Sequence, residues 1–253
     1  MRFCVAIPCF FGKMDFCDAI KTVAELGFNA AETYDWTVLD LEKVKKTLDE
    51  TGVELLSMCT TEFRLTDPKY RTLWLEGLER SCKAAEKIGV KRLITQVGDD
   101  TGAPRSEQHR SIVEGLSAAT PILEKYGVTV MIEPLNTLVD HKGYYLWQSS
   151  EAFQIIKEVN HPNVKVIFDI YHQQIMEGNI IPNIINNLDL IEHIHVAGHP
   201  GRHEPQKGEN NYRYIFEQIK KAGYNKAVGL EYFPLEEPVK SLKEVKEFYG
   251  ADL

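Results

Sequence analysis

The sequence predicts a single (β/α)8 barrel spanning residues 1–253. Eight short apolar runs recur along the chain, and each is followed by a stretch of helical periodicity. The run starts lie about 24 to 38 residues apart, the length of a strand, a helix and two loops. No low-complexity linker, composition shift or charge block divides the chain, so one domain is the simplest reading.

The first run, FCVAIPC from Phe3, reads as a buried strand. An export signal would need a small-residue cleavage pattern, and Pro8 interrupts the apolar stretch. The second to fourth runs are AAETY from Ala30, ELLSMCT from Glu54 and RLITQVG from Arg92. VTVMIEPLN from Val128, VKVIFDIYH from Val164, IEHIHVAG from Ile191 and AVGLEYF from Ala227 complete the set. They read as continuous apolar runs, as expected of parallel strands buried on both faces. Between them, FCDAIKTVAELG places Phe16, Ile20, Val23 and Ala24 on one helical stripe and ends in Gly27. The later helices end in Gly52, Gly89, Gly127 and Gly223, as left-handed C-caps require, and Pro121 lies inside the segment that ends at Gly127. An open doubly wound sheet would carry a Gly-rich turn after its first strand, where this chain has PCFFGK.

Composition excludes several function classes. The formal net charge is −8, the opposite of what a phosphate backbone recruits, so no nucleic-acid partner is expected. No apolar run reaches the length of a membrane span, and no membrane partner is expected. Five scattered cysteines (Cys4, Cys9, Cys17, Cys59 and Cys82) without CxxC spacing read as reduced thiols of a cytoplasmic protein. Trp36, Tyr144, Tyr145 and Trp147 are candidates for covering a pocket or for a homo-oligomer contact, whereas Trp74 reads as packing.

Charges at strand ends point to the chemistry. A buried carboxylate costs several kcal/mol unless it is paired or coordinated. Glu133 closes VTVMI, Asp169 closes VKVIF, His195 closes IEHI and Glu231 closes AVGL. These are the C-terminal ends of strands 5 to 8, the rim where barrels place catalytic groups. Three carboxylates and one imidazole there make a site for one divalent cation, Mn²⁺ or Mg²⁺ with Co²⁺ as a third choice, over thiolate-bound zinc. A single such residue is as well explained as a solvated strand end; four successive strands are not.

His193 shares a face with His195 one layer deeper and reads as a hydrogen-bonded core residue. His172, three residues after Asp169, falls on the following loop and is a candidate through that neighbour. In the polar loop HPGRHEPQKGENNY, Arg202 carries a planar fork suited to a carboxylate or a pair of hydroxyls. The alternative is pairing of Arg202 with Glu204 or Glu209 on a solvated loop.

On IEPLN, FDIYHQQIMEGN, HIHVAGHPGRHEPQKGENNY and VGLEYFP, in that order, the chain resembles the hydroxypyruvate isomerase family. That family lies within the xylose isomerase-like barrels, which also hold ketose 3-epimerases and the endonuclease IV group. The resemblance implies a metal held by Glu133, Asp169, His195 and Glu231, the set the strand ends had reached. It implies Glu133 and Glu231 as the catalytic proton-transfer pair, and His172 and Arg202 as substrate contacts. The implied reaction moves a proton beside a carbonyl through a cis-enediolate, converting hydroxypyruvate, or a related short hydroxy-carbonyl acid, to its isomer. Ketose 3-epimerisation or aldose–ketose isomerisation of a short sugar is the alternative. Against the epimerase pattern, Val139 stands six residues after Glu133, where those enzymes place a substrate-binding Glu. Some hydroxypyruvate isomerases carry Gln where this chain has His195.

Overall fold

In a computed structural model, which describes residues 1–250, eight parallel strands close into a barrel in sequence order. The first half runs β1 (Arg2–Ala6), α1 (Ile7–Phe11), α2 (Phe16–Glu25), β2 (Ala30–Glu32), α3 (Leu41–Thr51), β3 (Glu54–Cys59), α4 (Arg71–Ile88) and β4 (Arg92–Thr95). The second half runs α5 (Arg105–Tyr126), β5 (Thr129–Ile132), α6 (Ser149–Val159), β6 (Val164–Asp169), α7 (Ile170–Met176), α8 (Ile180–Ile185), β7 (Ile191–Val196), α9 (Tyr212–Lys221), β8 (Ala227–Leu230) and α10 (Pro238–Tyr249). β8 returns to β1 through pairs from Arg2 with Ala227 to Val5 with Leu230.

All eight expected strands form. The first is shorter than its apolar run: Pro8 at the start of α1 lacks an N–H for the ladder and fits the first helical turn. Gly52, Gly89 and Gly127 cap α3, α4 and α5 in the left-handed conformation. Pro121 sits inside α5. Among the described residues no helix is long and apolar enough to cross a membrane. All five cysteines are free thiols.

Two apolar zones build the barrel. The larger lies between the strands and the outer helices and includes Trp74, which is fully buried and donates its indole N–H to Thr95 Oγ1 at 3.2 Å. The other fills the interior in layers: Cys4, Ala30, Leu56 and Ala227 in one, and Cys59, Ile94, Met131 and Ile167 in the next. Strand side chains alternate between faces, so the residue two positions on from an interior residue is interior again. Met131 thereby leads to Glu133 and Ile167 to Asp169. Glu133 and Asp169 therefore sit directly above apolar side chains, while beneath His195 lies the buried His193.

Register sets two of these positions side by side, Asp169 with His195, and places His195 beside Gly229 on β8. A register shift between Ala31 and Glu32 sets Glu32 opposite Ser57, whose hydroxyl donates to Glu32 Oε2 at 2.8 Å. Bulges of this kind re-aim a side chain beside a functional site.

Candidate active site

The C-terminal rim gathers Glu133, Asp169, His195 and Glu231; three of them, Glu133, His195 and Glu231, line a cavity of about 560 Å³, and Asp169 lies beside Glu133 and Glu231. All four are buried, with exposures of 4%, 1%, 1% and 8%. His195 Nδ1 stands 3.3 Å from Glu231 Oε2 and 3.7 Å from Glu133 Oε1. Asp169 uses one oxygen to cap α7, accepting from the backbone N–H groups of Tyr171 and His172 at 2.7 and 3.4 Å. Its other oxygen, Oδ2, is buried without a hydrogen-bond partner, 3.4 Å from His172 Nε2. His172 is the third residue of α7, in the helix and not on a loop, and the N-cap geometry of Asp169 is what brings the two side chains together.

Arg202 reaches the same cavity. Its loop folds back as Gly198 N–H donates to His203 O and His203 N–H to Gly198 O, at 2.7 and 3.1 Å. A Cβ at Gly198 would meet Glu204 O at 2.5 Å, so only glycine permits this approach. Glu204 is fully buried and anchors the loop, accepting from Ser241 Oγ at 2.8 Å and Leu235 N–H at 3.2 Å. Arg202 itself adopts a left-handed backbone at φ 57°, an uncommon conformation for this residue type. The loop spends Glu204 on its own anchorage, and Arg202 pairs instead with Glu231 Oε2 at 2.5 Å, with Asp169 Oδ2 at 3.9 Å. Among the described residues that line the cavity, Arg202 is the sole Lys or Arg.

The site also contains residues to which the strand-end reading assigned no role. Tyr34 donates to Glu231 Oε1 at 2.6 Å, with Cys9 Sγ 3.2 Å from its hydroxyl. Glu32 Oε1 stands 3.0 Å from His195 Nε2, on the side of the ring away from the other carboxylates. His193 is the core histidine anticipated from its strand position, contacting Glu32 Oε2 at 3.2 Å. Glu32 obeys the same rule as the other four, a charge closing a strand, but β2 has only Ala30 and Ala31 before it. Two alanines are too weak an apolar run to make the charge conspicuous.

Electrostatics separate the two glutamates. Burial pushes Glu133 above the ordinary carboxylate range. Burial acts on Glu231 in the same sense, but Arg202 and His195 outweigh it and hold that group well below. Burial together with Glu231 raises Asp169 to about 8. Burial opposes the charged form of His195, yet Glu32 and Glu231 raise it well above its usual value. A buried carboxyl pair with divergent proton affinities is what acid–base chemistry requires.

The donor set fits a divalent cation. Glu133 Oε1, Asp169 Oδ2 and His195 Nδ1 are buried atoms without a hydrogen-bond partner, an expensive state that a cation would relieve. Ligand atoms of Glu133, Asp169, His172 and Glu231 lie within 4.8 Å of one another. Oxygen and imidazole donors suit a hard or borderline ion. The nearby thiols do not compete: burial pushes Cys9 up to about 12 and Cys59 higher still.

Gly229 is part of this construction. A Cβ there would meet His195 Cδ2 at 2.5 Å, Glu32 Oε1 at 2.6 Å and His195 Nε2 at 2.9 Å. Both side chains are fixed by burial, so neither can give way cheaply. Gly229→Ala is expected to destabilise the protein by about 1–3 kcal/mol, measured by urea unfolding. An unchanged midpoint would mean that the His195–Glu32 contact is loose.

Comparison with known proteins agrees with this architecture. The family described as xylose isomerase-like TIM barrel matches residues 20–248. The chain is 31% identical to hydroxypyruvate isomerase of Escherichia coli (strain K12), over 92% of this chain and 94% of that protein. It is also 31% identical to 2-oxo-tetronate isomerase of Cupriavidus necator, over 98% of this chain and 99% of that one. Among solved structures, an AP endonuclease of family 2 from Brucella melitensis superposes with a TM-score of 0.92 at 26% identity, covering 98% of this chain and 99% of the other.

Proposed function

Because the chain belongs to the xylose isomerase-like TIM barrel family, we propose that it is a metal-dependent isomerase of a short hydroxy-carbonyl acid. Hydroxypyruvate, giving tartronate semialdehyde, is the first substrate, and a four-carbon 2-oxo acid the second. The observation that carries this reading is the set of unpartnered buried donors beside Glu231, with Arg202 as the one Lys or Arg of the cavity wall. The isomerase names of the two relatives at 31% identity support it. A cavity of about 560 Å³ leaves room for more than three carbons.

Glu133, Asp169, His195 and Glu231 would hold one divalent ion, Mn²⁺ or Mg²⁺. When bound, such an ion supplies Lewis-acid stabilisation of the oxyanion that forms as the proton leaves. The remaining tasks fall to side chains. Glu231, the glutamate kept ionised by Arg202 and His195, takes the proton next to the carbonyl. Glu133, raised by burial, returns a proton to the neighbouring carbon of the cis-enediolate as the hydroxyl proton passes from O3 to O2, and exchange with solvent then restores both glutamates. Arg202 orients the substrate carboxylate; its Nε–H is buried and without a partner, so the guanidinium has a donor to offer. His172 steadies an enediolate oxygen. Val139, at the position of the epimerases' substrate-binding Glu, is half exposed and does not line the cavity, which favours isomerisation over ketose 3-epimerisation.

The test is deuterium incorporation from D₂O, followed by NMR after removal of the added Mg²⁺ or Mn²⁺ by chelation. Metal-dependent label at C3 of hydroxypyruvate, with tartronate semialdehyde accumulating, is expected. Label at C3 of a ketose, with inversion there, would move the assignment to an epimerase. No exchange with any short hydroxy-carbonyl substrate and either metal would overturn the proton-transfer reading.

A further inference from the structure

His172 Nε2 lies among the carboxylate oxygens of the site, close enough to serve as another ligand. Whether it does depends on which ring nitrogen carries the proton, because a ligand needs a lone pair and a donor needs a hydrogen. The other face of the ring answers this. The backbone N–H of Asn136 points at His172 Nδ1 at 3.2 Å, and a backbone N–H can only donate. Nδ1 is therefore the acceptor, and the proton of the neutral ring sits on Nε2.

The Asn136 side chain reinforces that assignment, and its own orientation is fixed. Its Oδ1 accepts from the backbone N–H groups of Val139 and Asp140, both at 3.0 Å. The amide nitrogen must then face the other way, where it donates to Asp140 Oδ2 and His172 Nδ1, both at 2.7 Å. Every donor and acceptor of this amide is used, in a residue with no exposure at all. Two donors thus converge on Nδ1. On the opposite edge, Nε2 is buried and makes no hydrogen bond, Asp169 Oδ2 at 3.4 Å included, so its N–H remains available to an oxygen brought into the cavity.

We propose that Asn136 is a positioning residue that holds His172 as its Nε2–H tautomer, so that the ring donates a hydrogen bond to a substrate oxygen and stays out of the metal's ligand set. This rests on the function proposed above and adds what selects between two histidines within reach of the same carboxylates. His195 turns Nδ1 toward Glu133 and Glu231, with Nε2 beside the Glu32 carboxylate as an outlet for its proton. His172 turns a protonated nitrogen to the same floor because Asn136 occupies the other.

Long-range proton–nitrogen NMR correlation on the full chain tests this, without metal and saturated with Mg²⁺. His172 is assigned by the signals lost in His172→Gln. The expected spectrum has a protonated Nε2 and an unprotonated Nδ1 in both states. A protonated Nδ1 in the native protein, or loss of the Nε2 proton when Mg²⁺ is added, would overturn the proposal. Asn136→Ala removes the side-chain donor to Nδ1 and keeps the backbone N–H, so it is expected to let part of the population carry its proton on Nδ1 and to lower kcat by roughly 10- to 100-fold. Mg²⁺ affinity by calorimetry should be the same as in the native protein, since the ligand set is untouched. A partly protonated Nδ1 with unchanged kcat would remove the functional claim, and an unaltered tautomer in the variant would overturn the role given to the Asn136 side chain. Should that variant not fold, the native spectra decide alone. The expected tautomer in a protein that exchanges deuterium with no substrate would strike the isomerase reading and leave this assignment standing.

Discussion

Glu231→Gln is expected to abolish isomerisation to within a factor of about 10²–10⁴ of the native rate, the range a positioned acid–base group supplies. Three contacts converge on this carboxylate: Tyr34 on one oxygen, Arg202 and His195 on the other. Each favours the ionised form, so the protein stabilises a base at the cavity floor. The amide in Glu231→Gln keeps the length and planarity of the side chain and removes both the charge and the proton acceptor. Deuterium exchange into substrate should disappear along with product. Exchange that survived while product formation fell would assign proton removal to Glu133, reversing the order proposed for the pair. The variant also leaves Arg202 facing a neutral partner, so its unfolding midpoint must be measured alongside; activity is compared on protein shown to be folded.

The fold and the four strand-end residues were legible for one physical reason. A barrel strand is apolar on both faces, and a charge there is conspicuous against an uncharged apolar run such as AVGL before Glu231. The same contrast was absent at Glu32, whose strand holds two alanines and whose aim depends on a register shift between neighbouring strands. No pattern in a single strand encodes that shift. The partner of Arg202 was likewise beyond the sequence. Glu204 and Glu209 were its nearest carboxylates along the chain, but Glu204 is committed to anchoring the loop against Ser241, and Glu231 comes from another strand. Asn136 is the subtler case. Read from the sequence, it had no role beyond its place in IEPLN, and its grip on His172 emerges only when the loop after β5 meets the start of α7.

Arg202→Met should be costly for the metal-free protein even before substrate is considered. Three carboxylates, Glu133, Asp169 and Glu231, share a buried floor, and Arg202 lies at 2.5 Å from one and 3.9 Å from another. Its side chain is 15% exposed and that of Glu231 10%, so solvent screens this pair only weakly. Removing one partner of a buried pair typically costs about 3–5 kcal/mol because the other charge is left without compensation. Urea unfolding in the presence of a chelator should show a loss of that order, with KM for an acidic substrate rising as well. Adding Mg²⁺ or Mn²⁺ should restore part of the stability, since a bound cation would compensate the same carboxylates. The double variant Arg202→Met, Glu231→Gln should lose less than the two single losses combined, because the second change removes the charge that the first one strands. Strict additivity in that cycle, or a single-variant loss below about 0.5 kcal/mol, would show that the pair is not what stabilises the metal-free floor.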